Sequence, residues 1–173
     1  MLQHIQESLN ARLVRLIPDR RVLTAGPYEV SLRHREFALY RLAAAARLEG
    51  WAGAGPEGIG PQHKGWITYD QLLDLNGTTL RRFFEFYDEV YRSGTEEIEK
   101  FREFLRNKLG AGLLREAREP FMQTLAKLDN QIETQIANPS IRARVRIASA
   151  GRNPRRFGLA LPPEAIEIDD SWE

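Results

Sequence analysis

Residues 145–163 read VRIASAGRNPRRFGLALPP, and this stretch decides the predicted fold. Two β-rich runs, Val145–Ile147 and Phe157–Leu161, flank the turn-forming segment Ala150–Pro154. This order predicts a β-hairpin, which Pro162-Pro163 ends. Basic residues gather on and around it, since residues 140–161 contain no acidic residue and six arginines: Arg142, Arg144, Arg146, Arg152, Arg155 and Arg156.

The arginines predict an anion-binding surface. Arg142, Arg144 and Arg146 alternate in sequence, which predicts one shared strand face, because strand side chains repeat every two residues. Three like charges on one face repel, so an anion such as a phosphate backbone is expected across them. The other three arginines extend this surface at the hairpin. Two alternatives stay open: contact with acidic protein groups, including the chain's own acidic tail at 169–173, and a solvated strand edge.

A second candidate surface lies just upstream, on a helix predicted from Pro120 to about residue 136. Proline suits the first turn of a helix, and one apolar stripe follows it: Phe121, Leu125, Leu128, Ile132 and Ile136. On the polar face, Lys127 and Gln131 are candidate nucleic-acid contacts, because glutamine can bond adenine edges. Asp129 and Glu133 share this helix, so a solvated face is the alternative.

The rest of the chain predicts more helices and one further hairpin. The hairpin covers residues 21–32 and a helix follows over 33–49. Residues 50–65 hold six glycines and predict a loop insertion. Thr68 and Gln71 have capping-box spacing and start a short helix, and two amphipathic helices follow before Gly110. The predicted class is mostly α with small β-hairpins (α+β).

Three regions are predicted along the chain. Residues 1–18 contain an amphipathic helix over 2–16, which is expected to pack on the chain, on a second copy or on a partner protein. Residues 19–168 form the main domain, and residues 169–173 form an acidic tail.

Composition excludes several classes of function. The chain has 173 residues and a formal net charge of +1, so overall charge does not favour any partner. It has no cysteine, which excludes disulfides and thiolate metal sites, and its three histidines lack metal-ligand spacing. No apolar run is long enough for a membrane span, and the first residues lack the basic-then-apolar pattern of a signal peptide. We therefore expect a cytoplasmic protein without catalytic residues, cofactor, metal or membrane contact.

The order of elements resembles a winged helix-turn-helix, whose last helix can enter a groove of DNA while a hairpin contacts phosphates. Residues 30–40, VSLRHREFALY, resemble the strand and first helix of response-regulator output domains. In that family a Thr or Ser usually caps the helix three residues before a Glu; here Glu36 is present but Arg33 occupies the cap. Residues 66–73, WITYDQLL, resemble the start of the family's second helix.

Residues 154–166, PRRFGLALPPEAI, narrow the resemblance. They look like the end of the winged-helix portion of CRISPR-associated proteins that pair a CARF domain with a C-terminal winged helix. The resemblance spans roughly residues 20–168, with an insertion-like middle, and the CARF half is missing. It implies a non-enzymatic module that binds DNA or RNA in antiviral defence and can dimerise. The alternatives are a protein-interaction winged helix or effector subunit, and a nuclease subunit, for which no general base stands out.

Overall fold

A computed structural model describes residues 13–51, 65–91, 95–150 and 155–169. These residues form an α+β fold, which confirms the predicted class of many helices with small hairpins. The helices are α1 (His34–Glu49), α2 (Tyr69–Leu72), α3 (Thr78–Tyr91), α4 (Thr95–Gly110), α5 (Leu114–Gln135) and α6 (Pro139–Val145). The strands are β1 (Val14–Ile17), β2 (Val22–Ala25), β3 (Tyr28–Ser31), β4 (Ile67–Thr68), β5 (Ile147–Ala150), β6 (Arg156–Leu159) and β7 (Ile166–Ile168).

A four-stranded sheet has the order β3-β2-β1-β7. The predicted first hairpin is confirmed, because β2 and β3 pair in antiparallel register around Gly26. The helix predicted over 2–16 is wrong for residues 14–16, which belong to β1 between β2 and the parallel strand β7. Val14 and Leu16 are buried on one side of that strand, so the sheet uses residues that the sequence assigned to a separate N-terminal helix.

Helix α1 is the central element of the fold. Eleven of its residues are buried, so it packs on nearly all sides. The Tyr40 hydroxyl donates to the carbonyl of Val145 at 2.8 Å, which ties α1 to the end of α6. At its start, the backbone N–H of Arg33 donates to the Glu36 carboxylate at 3.1 Å. This bond supports the interpretation of Glu36 as the capping acid.

The predicted second hairpin is also confirmed, although its first strand begins at Ile147 and Val145 ends α6. Strands β5 and β6 pair in antiparallel register, and β4 pairs with the other edge of β6. The indole of Trp66, next to β4, lies against Gly158 of β6 and donates to the carbonyl of Leu159 at 3.0 Å. This small sheet therefore joins the C-terminal hairpin to the segment between α1 and α2.

An aromatic cluster joins α3, α4 and α5. Its rings, which include Phe83, Phe101 and Phe121, meet mostly edge to face with centroids 5.4 to 6.3 Å apart. Such pairs stabilise beyond their buried area. Helix α5 begins at Leu114, so the predicted start at Pro120 is wrong and the proline lies inside the helix.

The strand predicted for Arg142, Arg144 and Arg146 is also wrong. Residues 139–145 form α6, whose first N–H groups bond the Asn138 side chain, and Arg146 follows its last residue. The three guanidinium groups therefore share no strand face. Asn138-Pro139, which follows the predicted end of one helix near residue 136, starts another helix, since asparagine favours the N-cap and proline the first turn.

Some predictions concern other parts of the chain. Residues 1–12, most of the glycine-rich loop, Arg152 and the tail beyond Asp169 lie outside the described residues. Among the helices that the structure describes, none combines the length and apolarity that crossing a bilayer requires.

Candidate nucleic-acid interface

Arg142 caps a helix. Its guanidinium donates to the carbonyl of Ile136 at 3.3 Å and to that of Glu133 at 3.4 Å, at the carboxyl end of α5. Those carbonyls have no partner within the helix, and the end of a helix carries partial negative charge. The side chain that the sequence assigned to phosphate is thus engaged with its own backbone.

Arg146 and Arg144 also lie elsewhere than on the predicted strand face. Arg146 forms a two-point ion pair with Asp129 of α5, with Nε–Oδ1 at 3.1 Å and Nη2–Oδ2 at 3.2 Å. Such an exposed pair contributes about 0–1 kcal/mol, so a phosphate could displace the carboxylate at little cost. Arg144 lies on α6 and is half-buried.

Arg156 is buried. Only 8% of the residue is exposed, and its Nε and Nη2 atoms have no hydrogen-bond partner within the described chain. Its strand, β6, is the middle of the three-stranded sheet, with Thr68 and Ala150 as its cross-strand neighbours. The predicted contact of Arg156 with phosphate at the surface does not fit this position.

Arg155 is exposed, and its charge acts on the phenol of Tyr69 at the start of α2. Arg118 of α5 reaches the same residue, with its guanidinium carbon 5.7 Å from the centre of the Tyr69 ring. Burial raises the pKa of the Tyr69 phenol, and the charges of Arg155 and Arg118 oppose that rise. The ring is anchored by Phe157, 5.3 Å away between centroids. We call Tyr69, Arg118 and Arg155 the Tyr69 cluster.

The Tyr69 cluster has the chemistry of an anion site. Among the described residues, neither Arg118 nor Arg155 forms an ion pair with a carboxylate. Two guanidinium groups and a phenol that converge from three elements can bind a phosphate by charge-assisted hydrogen bonds. The cluster also presents part of an aromatic ring, a surface on which nucleic-acid bases stack.

The two helix candidates, Lys127 and Gln131, do not form a joint base-reading surface. The Gln131 side-chain oxygen accepts from Gln135 at 2.6 Å, and Gln135 in turn bonds the backbone of Ser31 on β3. Gln131 therefore helps to hold α5 against the four-stranded sheet. Lys127 is exposed and lines a cavity near the start of α1, on the opposite side of α5 from Arg118.

Sequence reasoning missed Arg118 and Tyr69. Placing the helix start at Pro120 left Arg118 in a presumed connection. The signal was present in residues 114–119, LREARE, which are good helix formers and begin two residues after Gly112. Gly112 has a φ of +75° and separates α4 from α5, so the break comes eight residues before the proline.

His34 lies at the start of α1. Both of its ring nitrogens lie close to the Arg21 guanidinium, at 3.1 and 3.2 Å. Burial and the Arg21 charge lower the pKa of the imidazole from its ordinary 6.5, while Glu97 opposes them. The folded protein therefore favours the neutral ring.

We expect His34 to make folding sensitive to mild acid. The unfolded chain protonates this residue at an ordinary pKa, above that of the folded chain. Its contribution is therefore complete above about pH 6.5 and is lost as the pH falls through the lower folded value. Urea unfolding at pH 7.5 and 5.5 measures this loss. The His34→Gln variant should lose less stability over that range, and equal losses in both proteins would contradict the assignment.

No cluster of three or more histidine and carboxylate side chains suited to a metal ion occurs in residues 13–51, 65–91, 95–150 and 155–169. The chain was also compared with protein-family models, curated proteins and solved structures. None of these comparisons gives a match.

Proposed function

We propose that this chain is a winged helix-turn-helix module that binds nucleic acid through the Tyr69 cluster and the exposed side of α5. The observation that carries the proposal is the convergence of Arg118 and Arg155 on Tyr69. These residues come from a long helix, from the C-terminal hairpin and from the start of a short capped helix. Winged helices contact DNA with the same three kinds of element.

The chain topology supports the winged-helix part of the proposal. The hairpin β5–β6 follows the long helix α5 after only one short helix, as a wing follows a recognition helix. Strand β4 lies between the first two helices and pairs with β6, which fixes the hairpin to the helical part. Helices α3 and α4 then form an insertion between α2 and α5.

The charge of α5 argues for binding through phosphates more than through bases. Its exposed residues include Arg115 and Arg118 but also Glu119 and Glu133. A helix with balanced charge gains little electrostatic free energy when it enters a groove of DNA by itself. Arg155 at the hairpin adds a cation without a carboxylate partner among the described residues. We therefore propose weak, largely sequence-independent binding in which phosphate contacts supply most of the affinity.

Replacing Arg118 and Arg155 by glutamine should weaken binding of a DNA duplex and an RNA of equal length. We expect about a tenfold loss for each substitution, because a charge-assisted contact contributes roughly 1.5 kcal/mol. The slope of log affinity against log salt should fall by about 0.7 to 0.9 for each phosphate that is no longer neutralised. Fluorescence anisotropy at four salt concentrations measures both quantities.

Arg106→Gln is the matched control. Arg106 is an exposed arginine of α4 that forms no ion pair with another described residue, so this variant has the same net charge as either single variant. Its affinity and salt slope should stay close to the parent values. Equal losses in the Arg106 and Arg118 variants would reduce the effect to overall charge and would overturn the proposed interface.

Three exposed apolar side chains near the start of α5 favour protein binding as a second function. Leu113, Leu114 and Met122 are 41%, 58% and 49% exposed, and they lie in and just before the first half of α5. Side chains of this size are usually covered when a protein partner binds. A complex that keeps its affinity as salt rises, and loses it on Leu114→Ser, would favour this function over nucleic-acid binding.

We extend the proposal to CRISPR-linked antiviral defence. The support is the resemblance of residues 154–166 to the wing of CARF–winged-helix proteins. Genome neighbourhood tests it, since a CRISPR locus beside the gene is expected. Consistent absence of such a locus from genomes that encode close relatives would remove this part of the proposal and leave the binding interface untouched.

A further inference from the structure

A cavity opens on the side of α5 away from the Tyr69 cluster. Its volume is about 320 Å³, enough for a phosphate group with several waters. Four helices line it. They contribute Arg33, His34, Arg35 and Glu36 from the start of α1, Tyr87 from α3, Glu97 from α4, and Thr124 and Lys127 from α5.

Positive charge dominates this cavity. Arg33, Arg35 and Lys127 face it against two carboxylates, Glu36 and Glu97. The Glu36 carboxylate is buried and accepts the backbone N–H of Arg33, so it serves the helix start. Arg33 and Lys127 are exposed and form no ion pair with any acidic residue of the described chain. Two cations from different helices thus remain available to a ligand.

Arg35 is held in place at the wall of the cavity. Its guanidinium carbon lies 4.0 Å from the centre of the Phe101 ring, and it hydrogen-bonds the Tyr87 hydroxyl. Its Nε is buried and has no hydrogen-bond partner in the described chain. Stacking on an aromatic ring fixes the plane of an arginine, so this cation needs little reordering to meet an anion.

We propose that this cavity binds a phosphate group between Arg33, Lys127 and the fixed Arg35. A phosphate offers enough oxygens to accept from donors on several sides, and its negative charge suits an excess of cations. The group belongs either to free phosphate or a small phosphomonoester, or to a nucleic-acid strand that crosses α5. The site stands apart from the Tyr69 cluster, so neither proposal requires the other.

Inorganic phosphate is the first probe. At ten times its Kd, it should raise the melting temperature by about 3 to 6 °C over chloride at equal ionic strength. The Arg33→Gln and Lys127→Gln variants should lose most of that shift, while the Arg106→Gln control keeps it. A parent protein without a phosphate-specific shift, or variants that keep the full shift, would overturn the site.

Glu97 supplies a test in the opposite direction. Its carboxylate repels any anion in the cavity, so the Glu97→Gln variant should bind phosphate several-fold more tightly than the parent. A variant that merely damaged the fold would not gain affinity, and for this reason the measurement separates a binding site from a structural role. Unchanged or weaker phosphate binding by this variant would count against the proposal.

An oligonucleotide then identifies the source of the phosphate. If Lys127→Gln weakens both phosphate and oligonucleotide binding, the cavity holds a backbone phosphate. If it weakens only phosphate binding, the ligand is a small phosphate compound. Failure of the nucleic-acid proposal looks different, because it would leave oligonucleotide binding unaffected by the Arg118 and Arg155 substitutions.

Discussion

Gly65→Ala should lower the free energy of unfolding by about 3 to 5 kcal/mol, the largest effect that we expect from a single methyl group in this chain. Two independent causes add. Gly65 has a φ of +84°, which strains any residue with a Cβ. The added Cβ would also lie 2.5 Å from the Ala46 carbonyl oxygen and 2.9 Å from the Arg47 Cα. Both are backbone atoms at the end of α1 and cannot rotate away.

Gly112→Ala separates the two causes. Gly112 has a similar φ of +75°, but no atom lies within 4 Å of the position of an added Cβ. In this control, only the added backbone strain should lower the free energy of unfolding, by about 1 kcal/mol. Urea unfolding of the two variants measures the difference. If they lose the same amount, the contact with Ala46 does not contribute, and the close approach of this segment to α1 is disproved.

Gly158→Ala should cost about 2 to 3 kcal/mol for a different reason. The φ of Gly158 is not in the left-handed region, so the cost is purely steric. An added Cβ would lie 2.6 Å from two ring atoms of Trp66. That indole is 4% exposed and donates to the Leu159 carbonyl, so it cannot move without losing a buried hydrogen bond.

The control for this substitution is Gly110→Ala, since no atom lies within 4 Å of an added Cβ there. It lies at the last position of α4, where alanine favours the helix. We expect no loss of stability, or a gain of a few tenths of a kcal/mol. Near-UV circular dichroism gives a second readout, because only Gly158→Ala should change the environment of Trp66. Unchanged stability and an unchanged Trp66 signal in that variant would refute the packing.

Local patterns were sufficient to predict most helices. The spacing of Leu80, Phe83, Phe84 and Tyr87 predicts α3, and the pair Thr68 and Gln71 predicts the start of α2, where each side chain bonds the other's backbone N–H. Both signals act within one or two turns of helix. Both helical segments can form without contacts to distant residues, which explains why the structure agrees with these two predictions.

The predictions failed where pairing with distant residues determines the local structure. Leu13 and Leu16 fit a helical stripe, yet β1 is a strand, because β2 and β7 bond both of its edges. The strand prediction for the arginines was wrong for a related reason. Alternation predicted a strand, but Asn138 caps a helix that contains Arg142, and nothing local separates a proline that stops one helix from a proline that starts the next. The Tyr69 cluster needs three such long-range placements and was not predictable.

The position of β1 has a consequence for synthesis on the ribosome. Arg15 of β1 and Asp169, just after β7, are ion-paired across 154 residues. At 5 to 20 residues per second, β1 emerges about 8 to 30 s before its second partner. Throughout that interval one row of its N–H and C=O groups remains open to neighbouring nascent chains. We therefore expect the yield of native protein to depend on how quickly the codons between β1 and β7 are translated.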